Sequence, residues 1–116
     1  MKRKRVLAIF IFFLFILLLI GLANHSMLFL PKEELIFQSY SPKNDYRVDT
    51  FLNHGNATVS YSITADVINI KKQTTRTFYY CYREKTVEIV WIDDYTVNIN
   101  GRILDIRYDS YNSKWE

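Results

Sequence analysis

The sequence has a single cysteine, Cys81, in 116 residues, so an intrachain disulfide is impossible. No second Cys and no paired His supplies the spacing of a zinc site, and no metal, catalytic or cofactor residue is expected. Reactive thiol chemistry needs a base or a helix N-terminus beside the sulfur. The stretch "FYYCYRE" (78–84) offers only Arg83, so Cys81 reads as a half-buried strand residue. Basic clusters are also scarce. Four of the 15 Lys and Arg are Lys2, Arg3, Lys4 and Arg5, which leaves 11 bases against 12 acids and a net charge of −1 in the remainder. With no basic face to neutralise phosphates, nucleic acid is not an expected partner. Internal repeats and low-complexity tracts are absent. A chain exported without disulfides and rich in Ile, Tyr, Asn and Lys fits a Gram-positive bacterium of low G+C content.

What the chain does have is "MKRKRVLAIFIFFLFILLLIGLA", a basic start followed by 18 uninterrupted apolar or small residues, Val6 to Ala23. As a helix this run is ~27 Å long, close to the hydrocarbon thickness of a bilayer. A helix satisfies every backbone N–H and C=O internally, and neither charge nor proline interrupts this one. The basic cluster should stay in the cytoplasm and place everything after residue 23 outside. The lipid bilayer is therefore the expected partner of residues 6–23. The alternative is a cleaved signal peptide, because Gly21 and Ala23 have the small-residue spacing that a signal peptidase reads. The run is longer than a usual signal core, and "MLFL" (27–30) adds an apolar patch suited to the interface, so an uncleaved anchor is favoured. No cysteine follows the run, which excludes lipid modification there. The segment has no polar face, and the ~80 residues beyond it could not enclose it as a core helix.

After Pro31 the pattern changes to alternation. "PKEEL" reads as a charged link, giving an anchor region over 1–30, a linker over 31–37 and a β-domain over 38–116. The β-domain is rich in Tyr, Thr, Val and Ile with period two, the signature of half-buried antiparallel strands. In "VSYSITADV", Val59, Tyr61, Ile63, Ala65 and Val67 share one face and Ser60, Ser62, Thr64 and Asp66 the other. The first face is expected to be core and the second wet. "SPKNDY" (41–46) and "NHGNA" (53–57) read as turns, "NIKKQTTR" as a polar connection, and "EKT" as a turn into "VEIVWI". Asn100-Gly101 is the strongest local signal, since a two-residue type I′ turn needs positive φ at both positions. It sets Ile99 opposite Arg102, Asn98 opposite Ile103 and Val97 opposite Leu104. The fold class is thus mainly β: one N-terminal transmembrane helix, then an antiparallel meander of about six strands forming a curled sheet, open barrel or sandwich. Its expected core is Val48, Tyr61, Ile63, Val67, Ile89, Trp91, Val97 and Leu104.

"SPKNDYRVDTFL", "GNATVSYSI", "TFYYCYRE" and "TVEIVWIDDYTVNINGRILDI", in this order after one apolar anchor, resemble the small Gram-positive proteins grouped as domain of unknown function 5412. The resemblance covers roughly residues 38 to 109. Its distinctive pieces are Ser41-Pro42 with Tyr46, Ala57-Thr58, Tyr79 and Tyr82, Trp91-Ile92-Asp93, and Ile99-Asn100-Gly101 with Leu104-Asp105. The family pattern has Gly-Gly-Ala-Thr where this chain has Gly55-Asn56-Ala57-Thr58. The resemblance implies a membrane-anchored exported domain and carries over no catalytic residue.

Three groups invite a chemical reading. Asp93 and Asp94 sit side by side, but neighbouring residues in extended chain point to opposite sides, so the pair reads as a turn rather than an acid/base couple. His54, at an expected hairpin tip, could serve as a general base, yet it has no sequence-adjacent Ser or Cys nucleophile with an orienting acid, and His25 belongs to the membrane boundary. The aromatics exceed what a small core needs. Whichever of Phe78, Tyr80, Tyr82 or Tyr79, Cys81 faces inward, the other set should leave a ring exposed, able to stack on sugars or fill a partner's pocket. Tyr108, Tyr111 and Trp115 could likewise cover an open sheet end or rest at lipid headgroups. The sequon Asn56-Ala57-Thr58 is accidental in a bacterial protein. The expectation is a single-pass cell-membrane protein, N-terminus inside, presenting a non-enzymatic extracytoplasmic module that binds a protein or cell-envelope glycan. The alternatives are a signal-cleaved secreted form and a small hydrolase using His54.

Overall fold

A computed structural model describes residues 2–25, 27 and 29–115; the side chains of 22–25, among them His25 and Ala23, and Leu28 of the apolar patch lie outside the described residues. Helix α1 (Lys2–His25) is exposed along its described length and is long and apolar enough to cross a membrane by length and composition. From residue 6 to 21 it has no polar stripe, and its apolar face is therefore the whole surface of that segment.

The rest is built from strands, in two sheets. β1 (Glu34–Tyr40), β2 (Tyr46–Asn53), β3 (Ser62–Asn69) and β4 (Thr74–Tyr82) pair in sequence, each antiparallel to the last. β5 (Ile89–Trp91), β6 (Thr96–Ile99) and β7 (Arg102–Asp105) form a second antiparallel meander. The chain then returns so that β8 (Tyr111–Asn112) pairs with β4 in parallel, and a 3-10 turn (Ser113–Trp115) ends the described chain. The mainly β architecture is as the alternation implies. The described residues form eight strands rather than about six, because β1 starts at Glu34, inside the stretch read as a linker, and the two residues of β8 are too few to show a period.

Asn100 (φ 51°) and Gly101 (φ 91°) both adopt the left-handed backbone that the β6–β7 turn requires, and the register is the expected one, Val97 opposite Leu104 and Ile99 opposite Arg102. Between the sheets lies one apolar core of Val48, Ile63, Ala65, Val67, Phe78, Tyr79, Cys81, Val97, Ile99, Leu104 and Ile106. Ile89 and Trp91 pack on its margin as partly buried residues. Tyr61 does not join it. β3 begins only at Ser62, so Tyr61 falls in the preceding loop, 36% exposed, with the Lys85 ammonium 5.2 Å from its ring.

The wet face expected for β3 is also dry: Ser62, Thr64 and Asp66 are buried. The chain leaving α1 crosses this face before it enters β1. Thr64 Oγ1 donates to Pro31 O at 2.8 Å, Lys32 Nζ pairs with Asp66 at 2.8 Å, and the Glu33 N–H donates to Asn53 Oδ1 at 3.0 Å. Asn53 in turn donates to Ser62 and Thr64, and Thr77 donates to Asp66. A polar strand face can be buried at little cost when each group finds a partner, and this strap supplies them. The same cover explains the aromatics of β4. A register shift between Ala65 and Asp66 lets Phe78 and Tyr79 both reach the core, while Tyr80 is buried on the strap side, so only Tyr82 keeps a half-exposed ring.

Candidate functional site

The two carboxylates at the β5–β6 turn part company as extended neighbours must. Asp93 caps its own turn, accepting the Tyr95 N–H at 2.8 Å. Asp94 turns inward and accepts the Lys43 N–H of the β1–β2 loop at 2.9 Å. Burial raises the Asp94 carboxyl pKa, but the Lys43 N–H, with Ser41 and Asp45 beside it, outweighs burial and holds the group below the usual aspartate range. Trp91 Nε1 donates to Ser39 Oγ at 2.8 Å in the same seam. These contacts join the sheets and give Asp94 a structural task.

His54 lies at a loop tip as expected. Its N–H donates to Glu33, and its Nε2 meets Glu34 Oε2 at 2.6 Å, with the imidazole well exposed. An acid thus orients the ring, which the sequence did not reveal. Among the described residues no hydroxyl or thiol hydrogen-bonds the imidazole, and His54 lines none of the described clefts. Cys81 is buried, and burial, reinforced by Glu84, raises its pKa away from the thiolate. Tyr79 donates its hydroxyl to Glu84, and Arg102 donates to both, at 3.1 Å to the Tyr79 oxygen and 3.4 Å to Glu84. Burial and the Glu84 carboxylate raise the Tyr79 pKa far above that of a free tyrosine. Tyr79 is in the core, with Tyr111 tilted on it at 5.5 Å, while Glu84 and Arg102 are partly exposed at its edge, and the cluster works as polar packing at the core margin. Among the described residues, no group of three or more His, Cys, Asp or Glu could hold a metal ion.

A shallow cleft of about 560 Å³ lies by Val59, Tyr80, Tyr82, Ser113 and Lys114. A deeper concavity, of about 460 Å³, opens between the two sheets at one end. Its walls come from the start of β2 (Tyr46), the end of β3 (Val67, Asn69), the β3–β4 turn (Lys72), the start of β4 (Thr74, Thr75, Arg76) and the segment after β7 (Ile106, Arg107, Tyr108). Arg76 is held from behind: Nη1 donates to Asp109 O at 2.9 Å and Ser110 Oγ at 3.0 Å, and Nη2 donates to Ile106 O. Burial lowers its pKa, opposed by Asp109 and Asp105. Arg107 forks onto Asp105 through Nε at 3.1 Å and Nη2 at 2.9 Å. Its guanidinium carbon lies 4.0 Å from the Tyr95 ring centroid and 5.1 Å from that of Tyr108. Tyr95 meets Tyr46 edge to face at 5.9 Å. Tyr46, Tyr95, Arg107 and Tyr108 therefore form one aromatic and cationic wall, with Tyr108 78% exposed.

The sequence signalled this site only in part. Tyr108 stands out as a ring beyond the last long strand, whereas Lys72, Arg76 and Arg107 lie up to 35 positions apart and are gathered by strand order. Neither the curated proteins nor the solved structures include a match to this chain. The family of unknown function DUF5412 matches it over residues 1–116, beyond the 38–109 that the motifs alone span, and the chain belongs to that family.

Proposed function

We propose that this is a single-pass membrane protein, N-terminus in the cytoplasm, that presents its β-domain on the outer side as a binding module for the cell envelope. Support for the anchor is the apolar helix α1 behind Lys2, Arg3, Lys4 and Arg5, because basic residues are retained on the cytoplasmic side. Support for binding rather than catalysis is one observation above all: the cleft between the sheets is walled by Tyr46, Arg107 and Tyr108 with Lys72, Arg76 and two threonines, groups that grip rather than react. Each titratable group in the wall is an Arg, a Lys or a Tyr, and none is aligned on a nucleophile.

The experiment replaces Tyr108 by a photo-cross-linking phenylalanine analogue in the full chain and irradiates intact cells. An envelope component joined at 108, and lost when Tyr108-distal sites such as Ile103 carry the label, is the expected result. Absence of any adduct at 108, with the protein folded and inserted, overturns the reading. Protease added outside should remove the β-domain and spare α1. An intact mass lacking residues 1–23 would replace the anchored form by the secreted one.

A further inference from the structure

We propose that the cleft between the sheets takes an anionic glycan unit, a sugar or polyol bearing phosphate or carboxylate; this rests on the binding reading above and names its ligand. The charge distribution is the first observation. Residues 6–116 sum to −1, yet the cleft's ten lining residues include Lys72, Arg76 and Arg107 and no carboxylate. Asp105 and Asp109 stand behind Arg107 and Arg76 and fix them without entering the lining.

The state of each cation is the second. Arg76 has only neutral oxygens as hydrogen-bond partners, two carbonyls and a hydroxyl, and makes no direct ion pair among the described residues; Asp105 and Asp109 act on it only at longer range, and burial still outweighs them. Lys72 carries no ion pair among the described residues and stands exposed on the rim. A guanidinium and an ammonium in this state attract an anion, and an anion entering the cleft would relieve the desolvated charge of Arg76.

The rest of the wall selects among anions. Thr74, Thr75 and Asn69 offer hydroxyl and amide partners, and the exposed face of Tyr108 is a platform on which a sugar ring can stack. The volume admits one or two sugar units. Position in the fold argues for a polymer outside the membrane rather than a lipid headgroup. The chain from α1 enters the sheet at Glu34, opposite Leu52, and the cleft begins at Tyr46 at the other end of β2, ~20 Å away at the usual rise per strand residue.

The test uses the full chain in nanodiscs of neutral lipid, with polygalacturonate and phosphorylated dextran as probes and plain dextran as the uncharged body. Both anionic polymers should bind and plain dextran should not. Raising salt from about 0.05 to 0.5 M should weaken binding, since the Debye length shrinks several-fold. Lys72→Glu should weaken both by about tenfold or more, Lys72→Arg should not, and Tyr108→Ala should weaken both as well. Lys72 is exposed, so its variants report on binding even where Arg76→Gln fails to fold. Equal binding of plain dextran, equal or tighter binding of polyglutamate, or capture only by phosphatidylglycerol vesicles would each overturn the proposal. If the label at 108 still captures an envelope component in cells while Lys72→Glu leaves the binding of both anionic polymers unchanged, the anionic ligand falls and the binding module stands. If no adduct forms at 108 and neither substitution changes binding, both fall.

Discussion

Asp94 Oδ1 accepts the backbone N–H of Lys43 at 2.9 Å across 51 residues of sequence, and this contact pins the turn of the small sheet to the first loop of the large one. Its second oxygen is buried without a hydrogen-bond partner among the described residues. Asp94→Ala leaves the Lys43 N–H unanswered, whereas Asp94→Asn keeps an acceptor and removes the charge. The urea midpoint should therefore fall in the order Asp94→Ala, Asp94→Asn, Asp93→Ala, the last losing only a local turn bond. A ranking with Asp93→Ala first would contradict the inter-sheet role.

The same residue sets an acid limb. Asp94 and Asp105 both titrate below the ordinary aspartate value of 3.8, Asp94 through the Lys43 N–H against burial, Asp105 chiefly through its bond to Arg107. A carboxyl with a depressed folded pKa contributes stability that is complete above its unfolded value and fades as pH falls through the folded one. Urea midpoints should thus hold level down to about pH 4 and then drop. The drop should be shallower in Asp94→Asn, which no longer titrates there.

Tyr79 predicts the opposite limb. Its folded pKa is raised by burial and by the Glu84 carboxylate, so its contribution is present below the unfolded value of 10.0 and is lost as pH rises above it. Absorbance titration of phenolate should leave one tyrosine un-ionised until the chain unfolds. Tyr79→Phe should remove that lag and cost about 1–2 kcal/mol at neutral pH, because Glu84 and Arg102 lose a shared partner.

How much of this was legible in the sequence depends on how local the cause is. The β6–β7 hairpin is readable to the residue, since Asn100-Gly101 dictates its own φ angles and hence the pairing of Val97 with Leu104. Asp93 likewise caps a turn two residues on. The fate of Ser62, Thr64 and Asp66 is not readable. Period two says they share a face, but the cover over that face is the chain at Pro31 and Lys32, more than 30 residues earlier. Tyr61 fails for a related reason: alternation carried it into the core, and the loop fixed by Gly55 delays the strand. The cleft is the least local feature, because Arg76 and Arg107 become neighbours only when β8 returns beside β4.

The strap itself is testable. Thr64→Val keeps shape and deletes the hydroxyl that donates to Pro31 O and accepts from Asn53. Pro31 O then loses its donor and Asn53 one of its two acceptors, Ser62 remaining, at a cost of about 1 kcal/mol. Trypsin should cut after Lys32 faster in this variant than in the parent protein, measured as the rate at which the β-domain is released from α1. Unchanged cleavage would mean that the Lys32–Asp66 and Glu33–Asn53 contacts hold the strap without the Thr64 hydroxyl.

Two glycines share the left-handed backbone and should not share a penalty. Gly101 (φ 91°) has nothing within 4 Å of where a Cβ would sit, so Gly101→Ala meets backbone strain alone, worth about 1 kcal/mol. At Gly55 (φ 73°) a Cβ would fall 2.3 Å from Val59 O and 2.7 Å from the Ser60 carbonyl, all backbone atoms that cannot swing aside. The loop is held closed around it, with Asn56 N donating to Val59 O and Asn56 Oδ1 accepting the N–H groups of Thr58 and Val59. Gly55→Ala must therefore open the loop or move Ser60, and Ser60 N is fixed to the Tyr82 hydroxyl. The expected result is a far larger loss of thermal stability in Gly55→Ala than in Gly101→Ala, with the Tyr82 ring released to solvent and visible as increased tyrosine fluorescence quenching. Asn56→Gly, the residue of the family pattern, removes the side-chain acceptor and leaves the backbone closure in place, so it should cost less than Gly55→Ala. Equal losses in the two alanine variants would show that the loop at Gly55 yields freely, and the late start of β3 would then need another cause.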